Sequence, residues 1–237
     1  QAVLFAGERG EWRVVDPRVE ADIDALRRID EGDFTLVSRD TADAVWIMRY
    51  TKDNGPVSYW AYDRRSRRGE FLFDDKPALR GYELARMEPV VIRARDGLEL
   101  PGYLTYPPRG GRGKLPLVLL VREGIWSRDF WGMNPEVQWL ANRGYACLQV
   151  NQRGSSGYGK EFANAGNREM GGAMQDDLVD AARWAIESGI ADPARIGIFG
   201  ASYGGFAVLS ALADEPNLFR CGVERSGFMN LQRWLEN

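Results

Sequence analysis

The pattern of hydrophobic and polar positions changes character near residue 87. Before it, short alternating or aromatic runs are separated by polar turns; they lie at residues 34–39, 44–50, 57–62 and 70–73. Regularly spaced runs of this kind predict an antiparallel meander. Only residues 19–29 show apolar side chains at helical spacing, so we expect one short helix in this region.

From residue 87 onward the pattern becomes one of strands alternating with helices. Strand patterns at 90–95 and 98–106 flank Asp96-Gly97, which predicts a hairpin. Apolar strands at 115–121, 145–150, 195–199 and 221–224 then alternate with amphipathic helices at 136–142, 174–187 and 203–213. This alternation predicts an α/β domain over residues 86–237, with a parallel sheet covered on both faces. Residues 1–85 are expected to belong to a different domain.

Composition changes this picture little. The 237 residues are 44% hydrophobic and 27% charged, with a net charge of −3, as in an ordinary soluble globular protein. Such a charge gives no general attraction to nucleic acid or to an anionic membrane, so we expect neither as a partner. Cys147 and Cys221 both lie in apolar surroundings. We expect two buried thiols, and neither a disulfide framework nor a zinc site.

One motif carries chemistry. Residues 200–204 read Gly-Ala-Ser-Tyr-Gly, between the predicted strand 195–199 and the predicted helix 203–213. A G-x-S-x-G sequence in that position is typical of a nucleophile elbow, in which the serine occupies a sharp strand-to-helix turn. We therefore interpret Ser202 as a catalytic nucleophile. The alternative is a glycine-rich turn that only packs a helix on a sheet.

A serine that forms an acyl-enzyme also needs donors for the oxyanion. The backbone N–H of Tyr203, directly after the nucleophile, is the first candidate. The second donor usually follows the third strand, which the strand count places at 115–121; Gly124 in the next loop is then the candidate. The alternative for Gly124 is an ordinary turn glycine.

The chain contains no histidine, the usual base for such a serine. In this fold the acid and the histidine follow the serine in chain order. By the strand count, 221–224 is strand six. We therefore expect an incomplete α/β-hydrolase domain that contains strands one to six and lacks the acid and the histidine. Such a domain should be inactive alone. Glu224 follows a strand as a triad acid does, but one strand too early.

An aspartate pair and one arginine also carry charges that could serve a site. Asp176 and Asp177 open a predicted helix, where carboxylates meet the positive end of the helix dipole, so we expect a structural role and no metal. Arg153 lies in a glycine-rich loop. It either pins that loop or touches substrate.

Four stretches of the chain point to a family. They are residues 146–160, 164–180, 190–206 and 218–230, and they include a G-A-S-Y-G-G elbow and an upstream N-x-R-G-S-x-G-Y-G loop. With these motifs the sequence resembles the prolyl oligopeptidase family of serine peptidases, especially its acylaminoacyl-peptidase-like and dipeptidyl-peptidase-like branches.

The resemblance implies a C-terminal α/β-hydrolase domain after a β-propeller, with residues 1–85 as the end of the propeller. It also implies hydrolysis of short peptides through an acyl-enzyme on Ser202, with Tyr203 and Gly124 in the oxyanion roles and no cofactor. A carboxylesterase-like hydrolase and a non-catalytic binding module remain as alternatives. We prefer a cytoplasmic location and leave a periplasmic one open.

The chain departs from the family at one place. Many relatives carry His-Gly-Gly-Pro where this chain reads Arg-Glu-Gly-Ile at 122–125. Gly124 aligns with the oxyanion glycine, whereas the start of the motif differs. Two interpretations stay open: Arg122 supplies a cationic donor near the oxyanion, or Arg122 and Glu123 pair with each other and close the site.

Overall fold

The computed structural model describes residues 1–230 and Gln232. These residues divide into two units. The first comprises Gln1–Leu84 together with the short segment Trp131–Asn134, and the second comprises Ala85–Phe130 and the described chain from Pro135 onward. Nowhere in the described chain is a helix both long and apolar enough to cross a bilayer.

The first unit is mainly antiparallel sheet. Its elements are β1 (Ala2–Ala6), β2 (Gly10–Val14), α1 (Glu20–Leu26), β3 (Asp33–Arg39), β4 (Val45–Thr51), β5 (Ser58–Asp63) and β6 (Arg68–Asp74). Strands β3 to β6 pair in chain order, and β1 pairs with β2 alone. The meander is confirmed, and a four-stranded antiparallel sheet is the form of a propeller blade.

Buried tyrosines tie this sheet to α1. Tyr50 and Tyr62 are fully buried. The Tyr50 hydroxyl donates to the Leu26 carbonyl at 2.7 Å, and the Tyr62 hydroxyl donates to Asp22 Oδ1 at 2.9 Å. Both phenol groups thus satisfy their hydrogen bonds inside the core, as buried tyrosines do.

The segment Trp131–Asn134 folds with the first unit although it is distant from it in sequence. The Arg9 guanidinium stacks over the Trp131 ring at 3.7 Å. The Met133 N–H donates to the Lys52 carbonyl at 2.7 Å. The chain therefore returns to the first unit for four residues.

The second unit carries the site. Its elements are β7 (Met87–Arg93), β8 (Glu99–Thr105), β9 (Leu115–Val121), α2 (Pro135–Ala141), β10 (Ala146–Val150), α3 (Lys160–Asn164), α4 (Ala173–Glu187), β11 (Ala191–Ala201), α5 (Tyr203–Asp214) and β12 (Cys221–Arg225). The sheet order is β12-β11-β9-β10-β8-β7. Strands β9 to β12 run parallel, and β7 and β8 run antiparallel at one end. The predicted α/β fold class is confirmed.

Alternate residues of β9 show why its sequence is continuously apolar. Leu117 and Leu119 join the main core with residues of α4 and α5, such as Leu178. Leu120 packs on the other face against Val137 of α2. The sheet is covered on both faces, as a central parallel strand requires.

The two cysteines differ. Cys147 on β10 is buried, and burial raises the pKa of its thiol to about 12. Cys221 is exposed, so the expectation of two buried thiols is wrong for this residue. Its strand β12 pairs with β11 alone among the described strands and alternates exposed with half-buried positions.

Candidate active site

Ser202 occupies the sharp turn that the motif predicts. It lies between β11 and α5 with φ 53° and ψ −117°, a backbone conformation that costs energy in a residue with a Cβ. The residue is exposed, and its side chain makes no capping hydrogen bond to α5 within the described chain. Its backbone N–H donates to the Arg225 carbonyl at 3.0 Å. The turn thus presents the hydroxyl outward, while the nucleophilic role stays a prediction.

The glycines of the motif are required by close approach of backbones. A Cβ on Gly200 would lie 2.4 Å from the Gly204 carbonyl oxygen, and a Cβ on Gly204 would lie 2.5 Å from the Val121 carbonyl oxygen. One on Gly205 would lie 2.7 Å from Gly227 Cα. No side chain fits at these positions without a shift of the backbone, so the elbow depends on glycine.

Tyr203 is buried beneath the elbow. Gln152 Nε2 donates to its hydroxyl at 2.5 Å, and burial raises the pKa of Tyr203 to about 12. Its backbone N–H donates to the Glu123 carbonyl at 3.2 Å. The amide predicted as an oxyanion donor is therefore occupied by the loop that follows β9.

The loop at 122–127 folds onto itself. The Arg122 guanidinium is buried, and this burial lowers its pKa. It donates to the carbonyls of Gly124 at 3.1 Å and Ile125 at 3.0 Å. Ser127 Oγ also donates to the Gly124 carbonyl, at 2.8 Å. Arg122 thus holds its own loop. The predicted Arg122–Glu123 pair is wrong, because the Glu123 carboxylate pairs with Arg225; the role of Arg122 as a cationic donor near the oxyanion stays a prediction.

Glu123 pairs with a partner that the sequence did not suggest. Its Oε1 lies 2.7 Å from Arg225 Nη2, with the two side chains 65% and 57% exposed. Arg225 Nη1 also lies 3.6 Å from Glu136 Oε1. In the sequence this ion pair is visible only as two opposite charges, Glu123 in the loop after β9 and Arg225 at the end of β12.

The glycine-rich loop after β10 is pinned from below. Arg153 Nη2 lies 2.7 Å from the buried Asp177 Oδ1, and Nη1 lies 2.8 Å from Asp96 Oδ2. Of the two roles left open for Arg153, the structure shows the pinning of the loop, and Asp177 has the structural role expected of it, as the partner of Arg153. Asp176 pairs with Arg95 at 2.9 Å.

The Glu224 carboxylate supports the turn beyond β12. Its Oε2 accepts the Gly227 N–H at 2.9 Å, which gives this residue a structural role at the end of the sheet. Among residues 1–230 and Gln232, no three acidic or cysteine side chains gather as a metal site would require. The chain contains no histidine that could complete such a site.

Known proteins match this chain in sequence. A family model described as the prolyl oligopeptidase family matches residues 131–237. The dipeptidyl aminopeptidase BIII of Pseudoxanthomonas mexicana is 44% identical over 99% of this chain and 35% of its own length.

Two solved structures share the fold. A puromycin-hydrolyzing peptidase of Mycobacterium tuberculosis superposes with a TM-score of 0.79 at 25% identity, over 99% of this chain and 36% of that one. An acylaminoacyl peptidase in complex with Z-Gly-Gly-Phe-chloromethyl ketone gives 0.69 at 26% identity, over 84% and 32%. The chain spans about a third of the length of the relatives it matches. The chain therefore belongs to the prolyl oligopeptidase family.

Proposed function

We propose that Ser202 is the nucleophile of a serine peptidase that hydrolyses short peptides through an acyl-enzyme. The observation that carries this proposal is an exposed serine held at φ 53° between β11 and α5. Backbone strain of this kind persists at functional sites, where the surrounding structure maintains it. Here the crowded glycines of the elbow maintain it.

The chemistry follows the usual course for such a serine. Ser202 Oγ attacks the peptide carbonyl, the amine leaves, and water then hydrolyses the ester. Helix α5 begins at Tyr203, directly after the nucleophile, and the positive end of its dipole stabilises the developing oxyanion. A serine of this kind passes its proton to a histidine that an acid orients, and these 237 residues contain no histidine.

The substrate class rests on the comparison proteins. Each of the three carries a peptidase name, and one is complexed with a blocked tripeptide derivative. Short peptides are therefore the substrates we propose. The absence of nucleic-acid and membrane partners, and the cytoplasmic location, stay predictions.

The test uses the intact protein that carries this chain. A fluorophosphonate probe should label it, and peptide mapping should place the label on Ser202. Ser202→Ala should abolish labelling. Ser226→Ala, at a serine with a matching φ of 54°, should retain it.

Substrate panels then separate the alternatives. Peptide amides with free and with blocked N-termini should be hydrolysed, and simple esters should be hydrolysed as well. Turnover of esters alone would point to a carboxylesterase. An unlabelled Ser202 in the intact protein would leave a non-catalytic binding module.

A further inference from the structure

In this structure a backbone carbonyl occupies one of the two predicted oxyanion donors. The Tyr203 N–H points at the Glu123 carbonyl oxygen, 3.2 Å away. An amide carries one hydrogen, so this group cannot give its full strength to a substrate oxyanion while that bond stands. Catalysis on Ser202 requires the Glu123 carbonyl to leave.

The same peptide unit contains the second candidate donor. The Glu123 carbonyl and the Gly124 N–H are the two ends of one planar trans peptide, so they point in opposite directions. With the carbonyl directed at Tyr203, the Gly124 N–H is directed away from it. Rotation of this one plane would release the first donor and bring the second toward it.

We propose that the Glu123–Gly124 peptide unit is a two-position switch of the oxyanion site, and that Arg225 is the positioning residue that holds it closed. The inference rests on the proposed function, since it assigns the regulation of the same site. It concerns the stretch where this chain reads Arg-Glu-Gly-Ile.

The neighbouring peptide confines the motion to that one plane. The Gly124 carbonyl accepts from Arg122 Nε at 3.1 Å and from Ser127 Oγ at 2.8 Å. Arg122 is buried and also donates to the Ile125 carbonyl. The Gly124 carbonyl is thus held by two donors, whereas the Glu123 carbonyl accepts from the Tyr203 amide alone among the residues that the structure describes.

Arg225 reaches both halves of the elbow. Its backbone carbonyl accepts the Ser202 N–H at 3.0 Å, and its guanidinium holds the Glu123 carboxylate at 2.7 Å. The ion pair is exposed, so it biases the switch by only about two- to fivefold. A bias of that size favours the closed orientation of the Glu123–Gly124 peptide when no substrate is bound. Substrate binding can still shift the peptide to the open orientation.

The first experiment breaks the ion pair in the intact protein. Arg225→Met and Glu123→Gln should each raise kcat and the rate of phosphonylation by about two- to fivefold, because the closed form loses its holding contact. KM should not change, since the freed amide acts on charge that develops in the transition state. Arg225→Lys keeps the charge and should stay near the wild-type rate.

Two controls accompany these variants. Arg183→Met removes an exposed ion pair of similar length elsewhere, to Glu215 at 2.8 Å, and should leave the rate unchanged. Raising the salt from about 0.05 M to about 1 M should accelerate the wild type, because exposed pairs are screened. The same change should not accelerate Arg225→Met.

A second readout does not depend on turnover. Hydrogen exchange of the Tyr203 amide should be faster in Arg225→Met than in the wild type, because the bond to Glu123 opens more often. Equal rates of reaction and equal exchange in both proteins would overturn the inference and leave the proposed function standing. If no protein reacts with the probe, the proposed function fails, and amide exchange alone decides the inference.

Discussion

Arg153 and Asp177 form a bidentate ion pair inside the second unit. Arg153 Nε lies 2.9 Å from Asp177 Oδ2, Nη2 lies 2.7 Å from Oδ1, and the Arg153 N–H donates to Oδ2 at 2.8 Å. The two side chains are 10% and 0% exposed. The pair fixes the loop after β10 to α4, so the floor of the candidate site depends on it.

Removal of one partner should be costly. Asp177→Ala leaves a buried guanidinium without its main acceptor, and we expect the free energy of unfolding to fall by about 3–5 kcal/mol. Glu215→Ala removes an exposed pair and should cost less than about 1 kcal/mol. Urea unfolding of both variants gives the comparison. Similar losses in the two would contradict the structural role assigned to Asp177.

The backbone conformation of Ser202 should lower the free energy of unfolding of the protein. Its φ of 53° strains any residue with a Cβ. Ser202→Gly should therefore be more stable than Ser202→Ala by about 1 kcal/mol, with both unlabelled by a fluorophosphonate. Thermal and urea unfolding measure the difference. Equal stability of the two variants would show that the turn is relaxed.

Gly204 tests the crowding behind the elbow. A Cβ there meets the Val121 carbonyl oxygen at 2.5 Å, so Gly204→Ala should lower the free energy of unfolding by about 1–3 kcal/mol. Gly111→Ala is the matched control, because a Cβ at that glycine has no atom within 4 Å. It should change stability by less than about 0.5 kcal/mol. A Gly204→Ala protein as stable as the control would refute the close approach.

Asp129 should make stability depend on pH. Its Oδ1 accepts from Gln149 Nε2 at 2.8 Å, and its Oδ2 has no hydrogen-bond partner among the described residues. Burial raises the pKa of this carboxyl, because desolvation disfavours the charged form. A raised folded pKa means that the unfolded chain releases this proton first, so the contribution of Asp129 to stability falls as the pH rises above the unfolded value.

The always neutral variant isolates this effect. Asp129→Asn should be more stable than the wild type at about pH 8, and the advantage should vanish at about pH 4, near the unfolded pKa of an aspartate. Urea unfolding of both proteins at both pH values measures it. An advantage of the same size at the two pH values would show that Asp129 does not titrate as described.

Hydrophobic pattern and glycine spacing encode the parts of the fold that the sequence predicts well. The apolar run of β9 predicts the bounds of that strand because it serves both faces of the sheet. The turn at Ser202 is predictable because only glycines tolerate the crowding around it. The hairpin β1–β2 was missed because its residues are exposed or half-buried and give no regular pattern.

Two contacts at the candidate site were beyond such reasoning. The bond from the Tyr203 N–H to the Glu123 carbonyl depends on the orientation of one peptide plane, which side-chain patterns do not encode. The Glu123–Arg225 pair joins residues 102 positions apart. Nothing local in the sequence selects these two among the many charged residues of the chain.

The return of Trp131–Asn134 to the first unit has a practical consequence. A recombinant protein begun at Ala85 would still carry this tetrapeptide, yet it would lack Lys52 and Arg9, which hold the tetrapeptide in the first unit. Its tryptophan would then lose the Arg9 guanidinium that covers its ring, and the newly exposed apolar surface would favour aggregation. Separate production of the second unit therefore needs a splice from Phe130 to Pro135, with a short flexible bridge in place of the excised residues.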